Sequence, residues 1–138
     1  MEPVINLVAV VAAAVASFVI GMAWYSPMLF GNTWMKLSGV DPKKMKGDKK
    51  KMMMTSMLGG VVTALLTSYV LAHFVDYVGA VDAMGGAMVA FWAWLGFVAT
   101  VQAGSFLWEG KPVKLFLLNT THSLVALVVA GMINAVMV

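Results

Sequence analysis

Every lysine of this chain falls in one of two short stretches, Lys36–Lys51 or Lys111–Lys114, and four long apolar segments run around them. The segments cover about residues 4–25, 53–75, 85–107 and 115–138. At ~1.5 Å of rise per residue, each is long enough to cross a ~30 Å hydrocarbon layer with some tilt. Charged residues make up only 11% of the chain and hydrophobic ones 62%. Soluble domains carry about a quarter charged residues, so this chain lacks the material for a polar coat. Period-two alternation is absent, and lipid demands that backbone groups be satisfied within each segment, which favours helices over a barrel. The expectation is an all-α membrane protein, a single domain over residues 1–138, with four transmembrane helices in a bundle.

Basic residues in short loops near span ends favour the cytoplasmic side. The first loop, residues 36–52, holds seven lysines, and Lys111 and Lys114 lie in the third. The second loop, about Asp76–Met84, has two aspartates and no lysine. Loops one and three are therefore expected in the cytoplasm, and both termini on the periplasmic or outer side. Met1-Glu2-Pro3 lacks the basic start of a signal peptide, so the first span is expected to be retained. The lack of cysteine fits a bacterial inner membrane and excludes disulfide and thiolate metal sites.

Pro27 disfavours helical geometry at the residue before it, which ends the first helix near Tyr25. Residues 28–37 are too short to span and mixed in polarity, so a short interfacial helix is expected after helix 1. Trp24, Pro27, Phe30, Trp34 and, farther on, Trp108 read as interfacial anchors, since aromatic rings settle at headgroup depth. Lys43, Lys44, Lys46, Lys49, Lys50 and Lys51 are expected to meet anionic lipid headgroups, at ~1 kcal/mol each. Nucleic acid is not expected as a partner: the basic run abuts two spans, has no interleaved aromatics and contains no arginine for bidentate phosphate contacts.

Small residues recur every fourth position inside the spans: Ala9, Ala13, Ser17 and Gly21; Ser56, Gly60, Ala64 and Ser68; Gly96, Thr100 and Gly104. Such ladders let helix backbones approach closely where lipid removes the hydrophobic drive. They are expected to pack the bundle, with a leftover ladder available for a homo-oligomer.

Polar side chains inside spans need partners and mark functional sites. Gln102, Ser105 and Glu109 share a face near the lysine end of the third span, and Asn119, His122 and Ser123 share one in the fourth. Tyr25 and Ser26 reach the same layer from the first. Tyr25, Ser26, Gln102, Ser105, Glu109, Asn119 and His122 thus form a candidate polar cavity, with His122 the group able both to donate and to accept. Two readings compete. One is a closed hydrogen-bond network in a non-enzymatic protein of structural or regulatory role. The other is a vestibule for a small solute or protons, in a small transporter or channel subunit. Phosphate-binding loops, zincin helices, nucleophile elbows and redox pairs are all absent, so no catalytic residue, metal or cofactor is expected.

The stretch Gly21-Met22-Ala23-Trp24-Tyr25-Ser26-Pro27-Met28-Leu29-Phe30-Gly31, with Trp34 following, resembles the first-helix signature of a family of small bacterial membrane proteins. Phe106-Leu107-Trp108-Glu109-Gly110-Lys111-Pro112, running into Leu115–Asn119, extends the likeness. The family is known as domain of unknown function 1761. The resemblance spans essentially the whole chain and implies a four-helix integral membrane protein without an established activity. It also implies an aromatic residue more often than histidine around position 122.

Overall fold

The computed structural model describes residues 4–39 and 47–137, and Lys43, Lys44 and Lys46 lie outside them. Helix α1 (Leu7–Trp24) leads through a tight turn into short helix α2 (Gly31–Ser38). Helices α3 (Lys49–Val78), α4 (Ala83–Leu107) and α5 (Val113–Val136) follow. Four of these five, all but α2, are long and apolar enough to cross a membrane. No strand occurs among the described residues. The short helix stands where the composition placed it.

Local signals set the ends. Asn6 caps α1 by accepting from the backbone amides of Val8 and Ala9. Asp48 caps α3 through Lys50 and Lys51, and Asp82 caps α4 through Gly85. Caps of this type contribute about 1 kcal/mol each. Because Asp48 supplies the start signal, α3 begins inside the lysine run, four residues before the expected span. Gly79 ends it in the left-handed conformation, at φ 78°.

The spans run antiparallel. Lys36, Lys49, Lys50, Lys51, Lys111 and Lys114 cluster by element order at one end, while Asp76 and Asp82 lie at the other. There the Val4 amide donates to Asp76 Oδ2 at 3.3 Å, and Asn6 Nδ2 donates to the Met137 carbonyl at 2.5 Å. Helix α5 is the hub and packs against all the other spans, most extensively against α4 and then α1.

Packing is uneven along the bundle axis. Near the aspartate end the core is built from small residues: Ala9, Ala13 and Ala14 of α1, Ala72 of α3, Ala90 of α4, and Ala130 and Ala135 of α5 are all buried. Gly86 of α4 and Gly131 of α5 bring their backbones into contact: a Cβ on Gly86 would collide with the Gly131 carbonyl and lie 2.8 Å from Ala135 Cβ. Hydrogen bonds then stitch the helices. Ser68 donates to the Val10 carbonyl at 2.9 Å, and Asn134 Nδ2 donates to Ser68 Oγ at 3.2 Å.

Toward the lysine end the side chains on the same α1 face become Phe18 and Met22. Phe18 lies against Gly60 of α3, where a Cβ would stand 3.2 Å from Cε2. The wedge parts α1 from α3, and α3 from Lys49 to Gly59 is exposed to its surroundings. Of the expected ladders, only Ala9, Ala13 and Ser68, near the aspartate end, are buried in the bundle. Ser17, Gly21, Ser56, Gly60 and Ala64 instead line a cavity, and Gly96 and Thr100 face outward from the bundle.

Helix α4 contains one π turn, Leu95–Ala99. Gly86, Ala90, Trp94, Val98 and Gln102 recur every four residues, a spacing that drifts by about 40° per step on a 3.6-residue helix. The wider π turn absorbs about one residue of that drift. Trp94 and Gln102 can both serve the same neighbour, α5. Trp94 Nε1 donates to the Thr120 carbonyl at 2.9 Å, and Gln102 Nε2 to Ser123 Oγ at 3.2 Å.

Candidate functional site

The α1–α2 turn builds one wall of the site. After Trp24 the chain reverses, with the Phe30 amide donating to the Trp24 carbonyl and the Gly31 amide to the Ser26 carbonyl, both at 2.9 Å. Gly31 is pressed on this turn so closely that a Cβ would collide with the Tyr25 carbonyl. The result swings Pro27, Gly31, Trp34 and Met35 over the lysine end of α5. There they line an open cavity of about 570 Å³ with Tyr25, Gln102, Asn119, His122 and Ser123.

A second cavity, about 590 Å³, lies between α1 and α3. Its walls are mainly apolar, including Phe18, Met22, Met53, Met57 and Leu127, with the hydroxyls of Ser17, Ser56, Thr63 and Thr67 along them. His122 and Ser123 belong to both cavities. Volumes in this range hold small-molecule ligands.

His122 is held by shape. Its ring lies edge-on to Tyr25 at 5.1 Å between centroids and tilted against Trp24 at 6.0 Å. Its Nε2 is buried against Gly21, where a Cβ would stand 3.2 Å away, and has no hydrogen-bond partner among the described residues. Gln102 Oε1 and Trp24 Nε1 are likewise buried without a partner. Around them the network is made: Tyr25 donates to Asn119 Oδ1 at 2.8 Å, and Ser123 donates to the Asn119 carbonyl at 3.1 Å. An indole donor, an amide acceptor and an imidazole nitrogen able to play either role are thus left unpaired among the described residues, and Gln102 and His122 border the same cavity.

Of the residues expected to form the polar cavity, Tyr25, Gln102, Asn119 and His122 come together. Ser105 and Glu109 line a separate void of about 320 Å³ with Trp108 and Phe116, which Gln102 and Asn119 also border. They diverge from His122 because regular helix gives way after Gln102, so the i, i+3, i+7 face does not persist. Ser26 turns away: its hydroxyl donates to the Ala23 carbonyl at 2.7 Å and closes off α1.

The expected anchors divide. Trp108 is 88% exposed and Phe30 rests on Trp24 with 4.7 Å between ring centroids. Trp24, however, turns its indole nitrogen inward, and Pro27 and Trp34 line the polar cavity. Trp34 reaches it by packing edge-on to Tyr25 at 5.9 Å. Headgroup affinity and cavity lining look alike in composition, and the fold of the turn decides between them. Gly21 and Ser123 were the residues to add; Ser123 shares a helix face with Asn119 and His122 in the sequence alone.

No set of three or more His, Asp or Glu side chains among the described residues could hold a metal ion. At the aspartate end, His73 Nδ1 lies 2.8 Å from the Tyr69 carbonyl of its own helix.

The family model described as "Protein of unknown function (DUF1761)" matches residues 8–135. The chain belongs to this family. The match covers all four spans and both halves of the site. No curated protein and no solved structure matches the chain.

Proposed function

We propose that this protein is a non-enzymatic multi-pass membrane protein that binds a small, uncharged solute in a one-ended cavity at its lysine end. One observation carries the reading: His122 walls two cavities at once, and its buried Nε2 has no hydrogen-bond partner among the described residues. A buried polar atom left unpaired costs about 1–3 kcal/mol, which a ligand able to pair with it would offset. A closed structural network explains the Tyr25–Asn119 and Gln102–Ser123 bonds. It does not explain the free Nε2 of His122 or the free Oε1 of Gln102, nor cavities of this size.

Among the described residues, the walls of the two cavities contain no Asp, Glu, Lys or Arg. A charged solute would enter without compensation, so a neutral one fits better. The Gly86–Gly131 seam closes the opposite end, which argues against an open pore and for binding, or for one stage of a carrier that alternates its access. The lysine bias supports a bacterial inner membrane in which the cavity faces the cytoplasm. Lys49, Lys50 and Lys51 are then in reach of anionic headgroups, as Lys43, Lys44 and Lys46 of the same run would be.

Calorimetric titration of the purified protein in micelles with benzyl alcohol, a small neutral donor and acceptor, tests this. Saturable binding weakened at least tenfold by His122→Ala is expected. Equal binding by both proteins, or none by either, overturns the reading. For carriage, proteoliposome uptake of glycerol should fall in the same variant, and unchanged flux would remove His122 from that role.

A further inference from the structure

The two cavities differ in chemistry, and they meet at a single pair of residues. The one under α2 is rimmed by a phenol, an indole ring, two amides and an imidazole. The one between α1 and α3 is walled largely by Phe18, methionines and small aliphatic residues. It also lies on the side of the bundle where α3 parts from its neighbours. Met22, Met53 and Met57 at its edge are exposed to the surroundings, which in a bilayer are lipid tails. Methionine is flexible and polarizable, suited to a wall that adapts to a chain of variable path.

We propose that the solute is a neutral, single-chain amphiphile that enters sideways from the bilayer between α1 and α3. Its chain lies along Phe18, Met57 and Ala64, and its head hydrogen-bonds at His122 and Gln102. This inference rests on the binding reading above and specifies the ligand class. A hydroxyl head suits the site, because His122 belongs to both cavities and Gln102 borders the polar one, so an imidazole and an amide, each able to donate or accept, stand at their junction. A single chain suits a crevice that opens between α1 and α3 and is floored by Ala126 and Leu127 of α5 better than a branched or two-chain lipid.

Neutrality of the head follows from the walls. A carboxylate or ammonium at His122 would be desolvated with no Asp, Glu, Lys or Arg among the described lining residues to offset its charge, at a cost of several kcal/mol. Lys49, Lys50 and Lys51 begin α3 at the mouth of the crevice, so an anionic amphiphile would have to seat its head there instead, with its chain reversed.

Photolabelling in proteoliposomes separates these cases. The probe is dodecanol bearing a mid-chain diazirine, with labelled positions mapped by mass spectrometry. The expected result is saturable labelling of the α1 and α3 walls, at least tenfold weaker in Thr63→Trp, whose indole fills the chain cavity. Unlabelled dodecanol should compete at least tenfold better than dodecanoate or dodecyltrimethylammonium. Unsaturable labelling spread over outward-facing Phe97 and Val101 overturns the proposal, as does preferential competition by dodecanoate. Benzyl alcohol is the control. If it still binds in a His122-dependent way while dodecanol labels at random, the amphiphile proposal fails and the binding reading stands. If benzyl alcohol also fails, both fall.

Discussion

Gly21 fixes the position of the His122 ring by carrying no side chain: a Cβ there would stand 3.2 Å from Nε2. That separation is tight enough to force a shift of a few tenths of an ångström, yet the imidazole can move into the adjoining cavities. Gly21→Ala should therefore change stability by less than ~1 kcal/mol, since only a methyl is added beside open space. Binding of a neutral probe at His122 should weaken severalfold. Thermal unfolding and probe titration on the same preparation check both halves.

The seam at the aspartate end has no such room. A side chain at Gly86 meets the Gly131 backbone and Ala135 Cβ, and one at Gly131 lies 2.9 Å from Ala90 Cβ. Gly86→Val or Gly131→Val should lower stability by about 1–3 kcal/mol or more, because backbone cannot yield as a flexible side chain can. Denaturation in mild detergent measures it, with Gly59→Val as the comparison: a Cβ at Gly59 meets nothing within 4 Å.

Ser68 and Asn134 form a buried relay, Asn134 Nδ2 to Ser68 Oγ to the Val10 carbonyl, joining α5, α3 and α1. A double-mutant cycle with Ser68→Ala and Asn134→Ala should give a coupling of about 0.6 kcal/mol, within the ~1.7 kcal/mol ceiling seen for such bonds in membranes. A coupling near zero would mean that the helices are held by packing alone.

Much of the architecture was legible because lipid is a strict solvent. Segment length, the absence of charge within spans and the placement of lysines leave few solutions, and Pro27 and Asp82 mark ends through local chemistry. The site was legible in part. Asn119, His122 and Ser123 declare a shared face by spacing alone. The inward turn of Trp24 and the covering of the cavity by Trp34 depend on a reverse turn whose path follows from close contact at Gly31. The break in regular helix after Gln102 left no clear signature, so helical spacing carried Ser105 and Glu109 toward His122, whose cavities they do not line. The gap between α1 and α3 arises from Phe18 meeting Gly60, a pairing across 42 positions that no local pattern contains.

Homo-oligomerisation is an expectation that the fold sharpens. Gly60 is occupied within the chain by Phe18, whereas Gly96 and Thr100 face outward and a Cβ at Gly96 meets nothing within 4 Å. If copies associate through this face, Gly96→Leu should reduce the oligomer mass in detergent, measured by light scattering. Gly60→Leu should disturb the α1–α3 crevice instead. Unaltered mass for Gly96→Leu would count against association by that ladder.

Cysteine accessibility reaches the central claim most directly, because the chain has no cysteine of its own. Single substitutions Lys36→Cys, Ser123→Cys, Ala130→Cys and Asp82→Cys would be treated with a membrane-impermeant maleimide in right-side-out and inverted vesicles. The account predicts that Lys36→Cys and Ser123→Cys react in inverted vesicles only, Asp82→Cys in right-side-out vesicles only, and buried Ala130→Cys in neither. A Ser123→Cys that stays inert from both sides while Lys36→Cys reacts would show the polar cluster to be sealed from water, and would contradict a cytoplasm-facing cavity at His122.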